Sequence, residues 1–275
     1  MMRDFVITQN KNIWFGSFPS LSGAGFLNAC SCRWHGESAL APGTLNLALH
    51  VGDDPAKVLC NRAAFAASLG VDAKKFTTCE QVHGDKVSVV ETKTVGAGAL
   101  SLADTVAGTD ALVTELSDAP LLLFFADCVP ILLADTRTGA IGLAHAGWRG
   151  TVAGVAAKTV RTMMREFGSR PQDMLAAIGP SIGACCYEVD DFVRGEAQGY
   201  ERFFSAVQNK AGHYLLDLWA YNRSVLLEAG VLPQRIAVAR VCTAHNSEMF
   251  CSYRAEQGRT GRMGVCLCRS SKLCY

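Results

Sequence analysis

Residues 121–150 of this chain read LLLFFADCVPILLADTRTGAIGLAHAGWRG. The stretch from Leu121 to Ala126 is continuously apolar, as is typical of a strand that is buried on both faces, and Val129 to Asp135 continues in the same way. The polar turn at Thr136–Gly139 reverses the chain, so residues 140–146 return as a second strand. The stretch therefore predicts an antiparallel hairpin at the centre of a buried sheet.

The register of this hairpin follows from its turn. If Asp135 faces Ala140, then His145 faces Pro130, and the side chain of Cys128 points to the same face as Pro130. Diagonal neighbours on one face lie roughly 7–8 Å apart at the backbone. A zinc ion with bonds of about 2.0–2.3 Å can bridge that distance. The hairpin thus predicts Cys128 and His145 as a pair of metal ligands.

The sequence around the hairpin mixes helices and strands without regular βαβ alternation. After Gly147–Gly150, a helix is expected from Thr151 to about Phe167, ended by Gly168. The other expected elements are a helix from Asp54 to Leu69 capped by Asp53 or Asp54 and ended by Gly70, extended segments within 77–91 broken at Gly84, a helix at 216–229, and strands at 236–242 and 263–268. This pattern predicts an α+β (mixed α/β) fold: a single domain over residues 1–275, with partly antiparallel sheets flanked by helices.

Composition limits the class of protein. The 275 residues carry 26 basic and 25 acidic side chains, a formal charge of +1, which gives no electrostatic signature for nucleic acid or an anionic membrane surface. The first residues, Met1 to Val6, do not resemble a signal peptide, and the run from Ala119 to Ala126 is too short to span a bilayer. We therefore expect a soluble cytoplasmic protein that has neither nucleic acid nor a membrane as its partner.

The 12 cysteines do not indicate a disulfide framework, because that pattern belongs to small secreted chains. Most of them are expected to be buried as small hydrophobic side chains. The close pairs Cys30/Cys32, Cys185/Cys186 and Cys266/Cys268 are weak metal signals, and no C-x-x-C pair is present.

Catalytic zinc sites have three protein ligands and one open position. His83, which precedes Gly84 at the end of an extended segment, is a candidate third ligand beside Cys128 and His145. From spacing alone, a histidine that merely forms hydrogen bonds in the core or at the surface remains the alternative for His83.

Several motifs together resemble one family, the YfiH-like or laccase-domain proteins, which include bacterial purine nucleoside enzymes and a peptidoglycan editing factor. The motifs are Gln81–Gly84 (QVHG), Ala126–Pro130 (ADCVP), His145–Thr151 (HAGWRGT), Gly179–Gly183 (GPSIG) leading to Cys186–Val189, Asn46–Asp54, Ser252–Arg254 (SYR) and Thr260–Arg262 (TGR). The likeness runs over most of the chain, and the block at 145–150 is highly specific.

The resemblance implies the YfiH-like fold and a Zn²⁺ ion held by His83, Cys128 and His145. It also implies phosphorolysis of adenosine, inosine and methylthioadenosine, and deamination of adenosine. On resemblance alone, Asn46, Arg33 and Arg254 are candidate contacts for the sugar, base or phosphate. The zinc cytidine-deaminase signature is absent, so adenosine deamination would use a different arrangement of residues.

Such chemistry requires a group that transfers protons and a site for phosphate. Asp127 and Glu80 are the carboxylates nearest in sequence to the expected ligands, although a regular strand would point Asp127 away from Cys128. Arg149, at a strand-to-helix turn, is a candidate phosphate ligand; the alternative is that Arg149 pairs with a surface carboxylate.

Two positions depart from the family pattern. His35 stands where the family usually has the first glycine of Arg-x-Gly-Gly, and Ala255 and Glu256 follow Arg254 where the family usually has Arg-Asp. If these segments shape the substrate pocket, we expect altered specificity.

Other functions remain open at this stage. The same zinc site in some relatives would remove L-serine from UDP-MurNAc-L-serine. A multicopper oxidase needs more histidines than the six present, although copper could occupy the zinc ligands adventitiously in vitro (Cu²⁺). A structural zinc would need a fourth protein ligand, for which Cys79 and His245 are the candidates.

Overall fold

A computed structural model describes residues 4–40 and 44–271 of the chain. Cys274, the first three residues and the ends of the expected single domain therefore lie outside the described residues. No helix in the described part is long and apolar enough to cross a membrane.

Most strands belong to two large sheets. The first sheet has the order β1-β2-β3-β14-β6, with β1 Val6–Asn10, β2 Ile13–Ser17, β3 Phe26–Ser31, β6 Leu121–Phe125 and β14 Met263–Arg269. The second sheet has the order β13-β9-β7-β8-β5-β4, with β4 Val87–Val89, β5 Ala111–Thr114, β7 Val129–Asp135, β8 Ile141–Ala146, β9 Met174–Ile178 and β13 Ile236–Val238. A small third sheet has the order β10-β12-β11, with β10 Glu188–Asp190, β11 Phe204–Ala206 and β12 His213–Leu216.

The helices are α1 Pro19–Ser22, α2 Pro55–Leu69, α3 Trp148–Val152, α4 Val155–Phe167, α5 Asp191–Glu196 and α6 Leu218–Glu228.

The two large sheets face each other, and alternate side chains of their strands fill the space between them. In β6, Leu121, Leu123 and Phe125 point into this layer, whereas Leu122 and Phe124 point to the outer face of the sheet. The outer face of the first sheet packs with residues of α2, and that of the second packs with residues of α4 and α6. The expected α+β fold with helices flanking partly antiparallel sheets is confirmed.

The hairpin of β7 and β8 has the expected register. Pro130 lies opposite His145, and the N–H of Asp135 donates to the carbonyl of Ala140. Every residue of both strands is buried. The register is well determined because a shift of one residue would exchange the side chains that face the two apolar layers.

Two elements differ from expectation at their ends, whereas the cap of α2 is one of the two expected residues. The helix expected from Thr151 instead begins at Trp148 and is interrupted at Gly154, whose φ of +78° is left-handed, so α3 and α4 are separate helices. The strand expected at 236–242 ends at Val238, because Arg240 adopts a φ of +53° that breaks regular pairing. Asp54, rather than Asp53, caps α2 by accepting a hydrogen bond from the N–H of Ala56.

Candidate metal centre

Side chains of three residues distant in sequence meet where the two large sheets approach each other. The ligand atoms of His83, Cys128 and His145 all lie within 4.8 Å of one another. His145 is buried, Cys128 is half-buried and His83 is exposed. The group is therefore anchored in the core and open to solvent on the side of His83.

The hairpin positions two of these side chains. Cys128 immediately precedes β7, and its side chain shares a face with Pro130, which lies directly opposite His145. This face looks into the layer between the two sheets, where Phe125 packs against the ring of His145 with 5.4 Å between centroids. The diagonal relation expected from the turn thus brings a thiol and an imidazole together.

His83 reaches the pair through an irregular segment. The side chain of Gln81 accepts from the N–H of Phe124 at 2.9 Å and donates to the carbonyl of Phe124 at 2.7 Å, which fastens the segment to the end of β6. Gln81 and His83 adopt left-handed φ values of +59° and +63°. The ring of His83 lies 4.9 Å from that of His145, between centroids.

Asp110, just before β5, holds both histidines and was not identified from the sequence. Its fully buried carboxylate accepts the N–H of His83 at 2.9 Å and the N–H of Gly84 at 2.7 Å. The Oδ1 atom also lies 3.0 Å from Nδ1 of His145, which leaves the other ring nitrogen to face Cys128. In the sequence, Asp110 is a single acidic residue beside an apolar strand segment. That pattern does not indicate which residues its carboxylate contacts.

The electrostatics of the group favour a thiolate. Burial alone would raise the pKa of Cys128, but His145 and His83 lower the pKa of this thiol to about 6. Burial likewise opposes protonation of His145, and Cys128 and Asp110 overcome it and raise the pKa of His145 to about 9. A thiolate with two imidazoles is the donor set that divalent zinc prefers.

Two glycines of the 147–150 turn allow the chain to pass close to the ligands. A Cβ at Gly147 would lie 3.0 Å from Sγ of Cys128 and 3.2 Å from Cδ2 of His83. A Cβ at Gly150 would lie 2.9 Å from the carbonyl oxygen of Gly84. The start of α3 therefore packs directly on the candidate ligands.

The ligand group lies in the wall of a cavity of about 530 Å³. This volume is within the range of small-molecule sites. The lining residues include three arginines and several aromatic side chains: Arg149, Arg254, Arg262, Phe124, Trp148, Tyr187 and Tyr253. Arg149 is exposed and stacks on Trp148 at 4.4 Å, and it forms no ion pair with a carboxylate within residues 4–40 and 44–271.

Asp127 and Glu80 also line this cavity. Asp127 has a left-handed φ of +84°, and its carboxylate accepts hydrogen bonds from Thr243 Oγ1 at 2.6 Å, Ser252 Oγ at 2.7 Å and the N–H of Arg254 at 2.6 Å. Glu80 is exposed, and its Oε2 accepts the N–H of Gly108 at 2.7 Å. Asp127 is therefore held by several contacts, whereas Glu80 is more accessible.

The three expected substrate contacts occupy different environments. Arg254 lines the cavity, and its guanidinium donates to the carbonyls of Cys186 and Glu188, at 3.2 Å each. Asn46 is fully buried outside the cavity, where its Oδ1 accepts the N–H of Arg262 at 2.9 Å. Arg33 also lies outside the cavity.

Both departures from the family pattern have a structural counterpart. Arg33 forms an ion pair with Glu256, the residue after Ala255, at 2.8 Å. The carboxylate of Glu256 therefore neutralises the half-buried guanidinium of Arg33. His35 is exposed with a left-handed φ of +63°, a conformation that glycine adopts at no steric cost, which explains a preference for glycine at this position.

The donor set fits a catalytic metal ion better than a structural one. Within the described residues, the group consists of three donors, whereas structural zinc sites have four protein ligands. Cys79 is buried in the apolar layer between the sheets, and His245 belongs to a different cluster with three cysteines. Neither residue completes the coordination shell.

Comparison with known proteins agrees with these observations. Residues 28–270 match the family model described as multi-copper polyphenol oxidoreductase laccase. The chain is 40% identical over 243 residues to purine nucleoside phosphorylase YlmD of Geobacillus stearothermophilus, covering 87% of this chain and 89% of that protein. It is 36% identical over 227 residues to adenosine deaminase RL5 of an unknown prokaryotic organism, covering 79% and 84%.

Solved structures share the fold. The crystal structure of YlmD from Geobacillus stearothermophilus superposes with a TM-score of 0.90 at 36% identity, covering 97% of this chain and 99% of that chain. The hypothetical protein YfiH of Bacillus licheniformis gives a TM-score of 0.88 at 34% identity, covering 92% and 96%. The chain therefore belongs to the laccase-like YfiH family, whose model is described as multi-copper polyphenol oxidoreductase laccase.

Proposed function

We propose that this protein is a zinc-dependent purine nucleoside enzyme that phosphorolyses adenosine, inosine and methylthioadenosine and deaminates adenosine. The observation that carries the proposal is the convergence of His83, Cys128 and His145 in the wall of a cavity that also contains three arginines. The names of the similar proteins from Geobacillus stearothermophilus and from the unknown prokaryote support the same substrate class.

Phosphorolysis needs a place for phosphate beside the sugar. Arg149 is suited to bind it, because its guanidinium is exposed in the cavity and is oriented by stacking on Trp148. A guanidinium can bind two phosphate oxygens with parallel hydrogen bonds. In this reaction a phosphate oxygen bonds to C1′, the bond from C1′ to N9 breaks, and the purine leaves with a proton.

The purine would occupy the more apolar part of the same cavity. Trp148, Tyr187 and Tyr253 offer flat surfaces on which a base can stack. The guanidinium of Arg254 lies 5.3 Å from the ring of Tyr187. Its hydrogen bonds to backbone carbonyls hold it in a fixed position beside this ring. Asn46 and Arg33 hold the segments that carry Arg262 and Glu256, and their direct contact with substrate stays a prediction.

A proton must move in both reactions, and two carboxylates are available. Glu80 is accessible and precedes the segment of His83, so we assign the proton transfer to Glu80 as the first candidate and to Asp127 as the second. His83, Cys128 and His145 would hold the zinc ion, which would supply a Lewis acid when bound. Asp110 keeps the ring of His145 in one tautomer and orientation, since it binds Nδ1.

The proposal is tested with purified protein and each nucleoside, with and without phosphate. We expect free base and sugar 1-phosphate only when phosphate is present, with ribose 1-phosphate from adenosine and inosine and 5-methylthioribose 1-phosphate from methylthioadenosine. We expect inosine from adenosine in either case. Cys128→Ser should abolish both activities and remove the ion held by His83, Cys128 and His145, whereas Cys60→Ser, which alters an exposed cysteine of α2, should leave both activities unchanged.

Two results would contradict the proposal. One is a metal-replete protein that acts on no nucleoside but releases L-serine from UDP-MurNAc-L-serine. The other is phenol oxidation accompanied by the strong visible absorption of blue copper, with nucleosides left intact.

A further inference from the structure

A second group of metal-type donors lies outside the candidate metal centre. Sγ of Cys185, Cys186 and Cys242 and a ring nitrogen of His245 all lie within 4.8 Å of one another. We propose that these four residues form a structural zinc site of the Cys3His type, distinct from the site of His83, Cys128 and His145.

The fold brings the two segments of this cluster together. Strands β9 and β13 are parallel neighbours, with Ile178 beside Val238, so their carboxyl ends meet at one edge of the second sheet. Beyond both strands the pairing resumes as a bridge between Ser181 and Cys242, with the N–H of Thr243 donating to the carbonyl of Ser181 at 3.1 Å. The cysteine pair and the Cys242–His245 segment leave this bridge side by side.

The distances suit a tetrahedral ion. Zn–S bonds of about 2.3 Å and Zn–N bonds of about 2.0 Å place neighbouring donors roughly 3.5–3.8 Å apart. Sγ of Cys185 lies 3.3 Å from Nδ1 of His245, and no pair of donors in the cluster exceeds 4.8 Å. Small side-chain rotations would therefore bring all four donors to one ion.

Backbone N–H groups converge on the sulfur of Cys242. The N–H of Gly183 donates to its Sγ at 3.3 Å, and the backbone N–H groups of Ala244 and His245 also interact with it. These contacts hold the sulfur of Cys242 in place beside the other three donors of the cluster. A disulfide would use only two of the three sulfurs and would leave the imidazole of His245 without a role.

The coordination number separates the two sites in function. Four protein ligands close the shell, so this ion would stabilise the fold and would have no open position for substrate. The segment that carries Cys185 and Cys186 borders the cavity: Ile182 and Tyr187 line it, and the carbonyl of Cys186 accepts from Arg254. The ion would thereby fix the position of Tyr187 and Arg254.

The test counts zinc ions per chain in reduced protein after dialysis against metal-free buffer. We expect two ions in the wild type, one in Cys128→Ser and one in Cys185→Ser or His245→Ala. The combination of Cys128→Ser with His245→Ala should retain none, and Cys60→Ser is the matched control that should retain two. Cys185 and His245 are exposed, so their replacement disturbs the core less than replacement of buried Cys242.

A spectroscopic measurement identifies the ligands. Cobalt(II) added to the Cys128→Ser protein should give thiolate-to-cobalt charge-transfer bands and tetrahedral d–d bands, and both should be lost with Cys185→Ser. Zinc content that is the same in His245→Ala, Cys185→Ser and wild type would overturn the proposal. An intramolecular disulfide among these cysteines in zinc-free, fully folded protein would do so as well. Because the readout is metal content, its failure is distinct from failure of the nucleoside activity.

Discussion

Oδ1 of Asp110 lies 3.0 Å from Nδ1 of His145, and this contact joins a fully buried carboxylate to the deepest donor of the candidate metal centre. The same carboxylate accepts two backbone N–H groups from the segment of His83. One acidic side chain thus fixes the orientation of two candidate ligands that lie 62 positions apart in the numbering, at 83 and 145.

Replacement of Asp110 should weaken metal binding without removing a ligand. In Asp110→Asn, one carboxylate oxygen becomes an NH₂ group, so a single acceptor oxygen remains for the three contacts with His83, Gly84 and His145. We expect zinc affinity to fall by about 10–100-fold, the usual effect of losing the partner of a metal-bound histidine. Competition with a chromophoric chelator measures this affinity, and unchanged affinity would contradict the assigned role. Asp104→Asn is the exposed control.

Gly147 should be intolerant of any side chain. In Gly147→Ala, the new methyl group would lie 3.0 Å from Sγ of Cys128 and 3.2 Å from a ring carbon of His83. Overpacking of this kind costs about 1–3 kcal/mol, and here the strain acts on the ligands. We expect reduced zinc content and a melting temperature that is lowered by several degrees. Gly195→Ala, where a Cβ meets nothing within 4 Å, is the control, and equal zinc content in both variants would refute the prediction.

Arg149 should act on phosphate and not on the purine. Arg149→Met keeps an unbranched apolar stem but removes the charge and the paired donors, so we expect KM for phosphate to rise by at least about tenfold, equivalent to about 1.4 kcal/mol. Adenosine deamination, which uses no phosphate, should change little. Initial rates at varied phosphate concentration test this, with Arg165→Met on the exposed surface of α4 as control. A parallel loss of both activities would instead indicate a general structural role for Arg149.

The register of the hairpin could be predicted because residues close together in sequence determine it. Two apolar strands and a four-residue turn determine which residues face each other, and this alone placed Cys128 beside His145. The left-handed residues Gln81 and His83 could not be predicted in the same way, since their backbone conformation is stabilised by contacts with Phe124 and Asp110.

Contacts between residues that are distant in sequence could not be predicted from the sequence. The ion pair of Arg33 with Glu256 joins segments from opposite ends of the chain, and nothing in either segment alone indicates it. The weak cysteine pair Cys185/Cys186 became a candidate for metal binding only when the sheet brought Cys242 and His245 beside it. Direct substrate contact by Asn46 and Arg33 stays a prediction, and the structure places both residues outside the cavity.

Glu80 and Asp127 can be separated by their amide variants. Glu80→Gln should lower kcat for deamination by about 10²–10⁴-fold, the usual contribution of a proton-transferring group, with zinc content and melting temperature unchanged. Asp127→Asn should lower the melting temperature, because an amide cannot accept all the hydrogen bonds from Thr243, Ser252 and Arg254. Full activity of Glu80→Gln would assign the proton transfer elsewhere. Glu91→Gln, at an exposed ion pair, is the control.

Asp53 should make the stability of the protein depend on pH in the acid range. Burial would raise the pKa of this carboxyl, but hydrogen bonds from Ser38, Asn46 and backbone N–H groups hold it below its ordinary value of 3.8. Because the folded-state pKa is the lower one, the stabilisation is fully present above the unfolded-state value and is lost as the pH falls through the folded-state value.

Asp53→Asn should therefore destabilise the protein by about 2 kcal/mol at pH 7, the usual worth of hydrogen bonds to a charged group. The difference between wild type and variant should shrink once the pH falls below 3.8, since the protonated carboxyl of Asp53 and the amide that replaces it are then both neutral. Urea unfolding at a series of pH values measures both quantities. A difference that stays constant down to the acid limit would mean that the charge of Asp53 contributes nothing, and that its role is limited to the geometry of the Ser38 and Asn46 contacts.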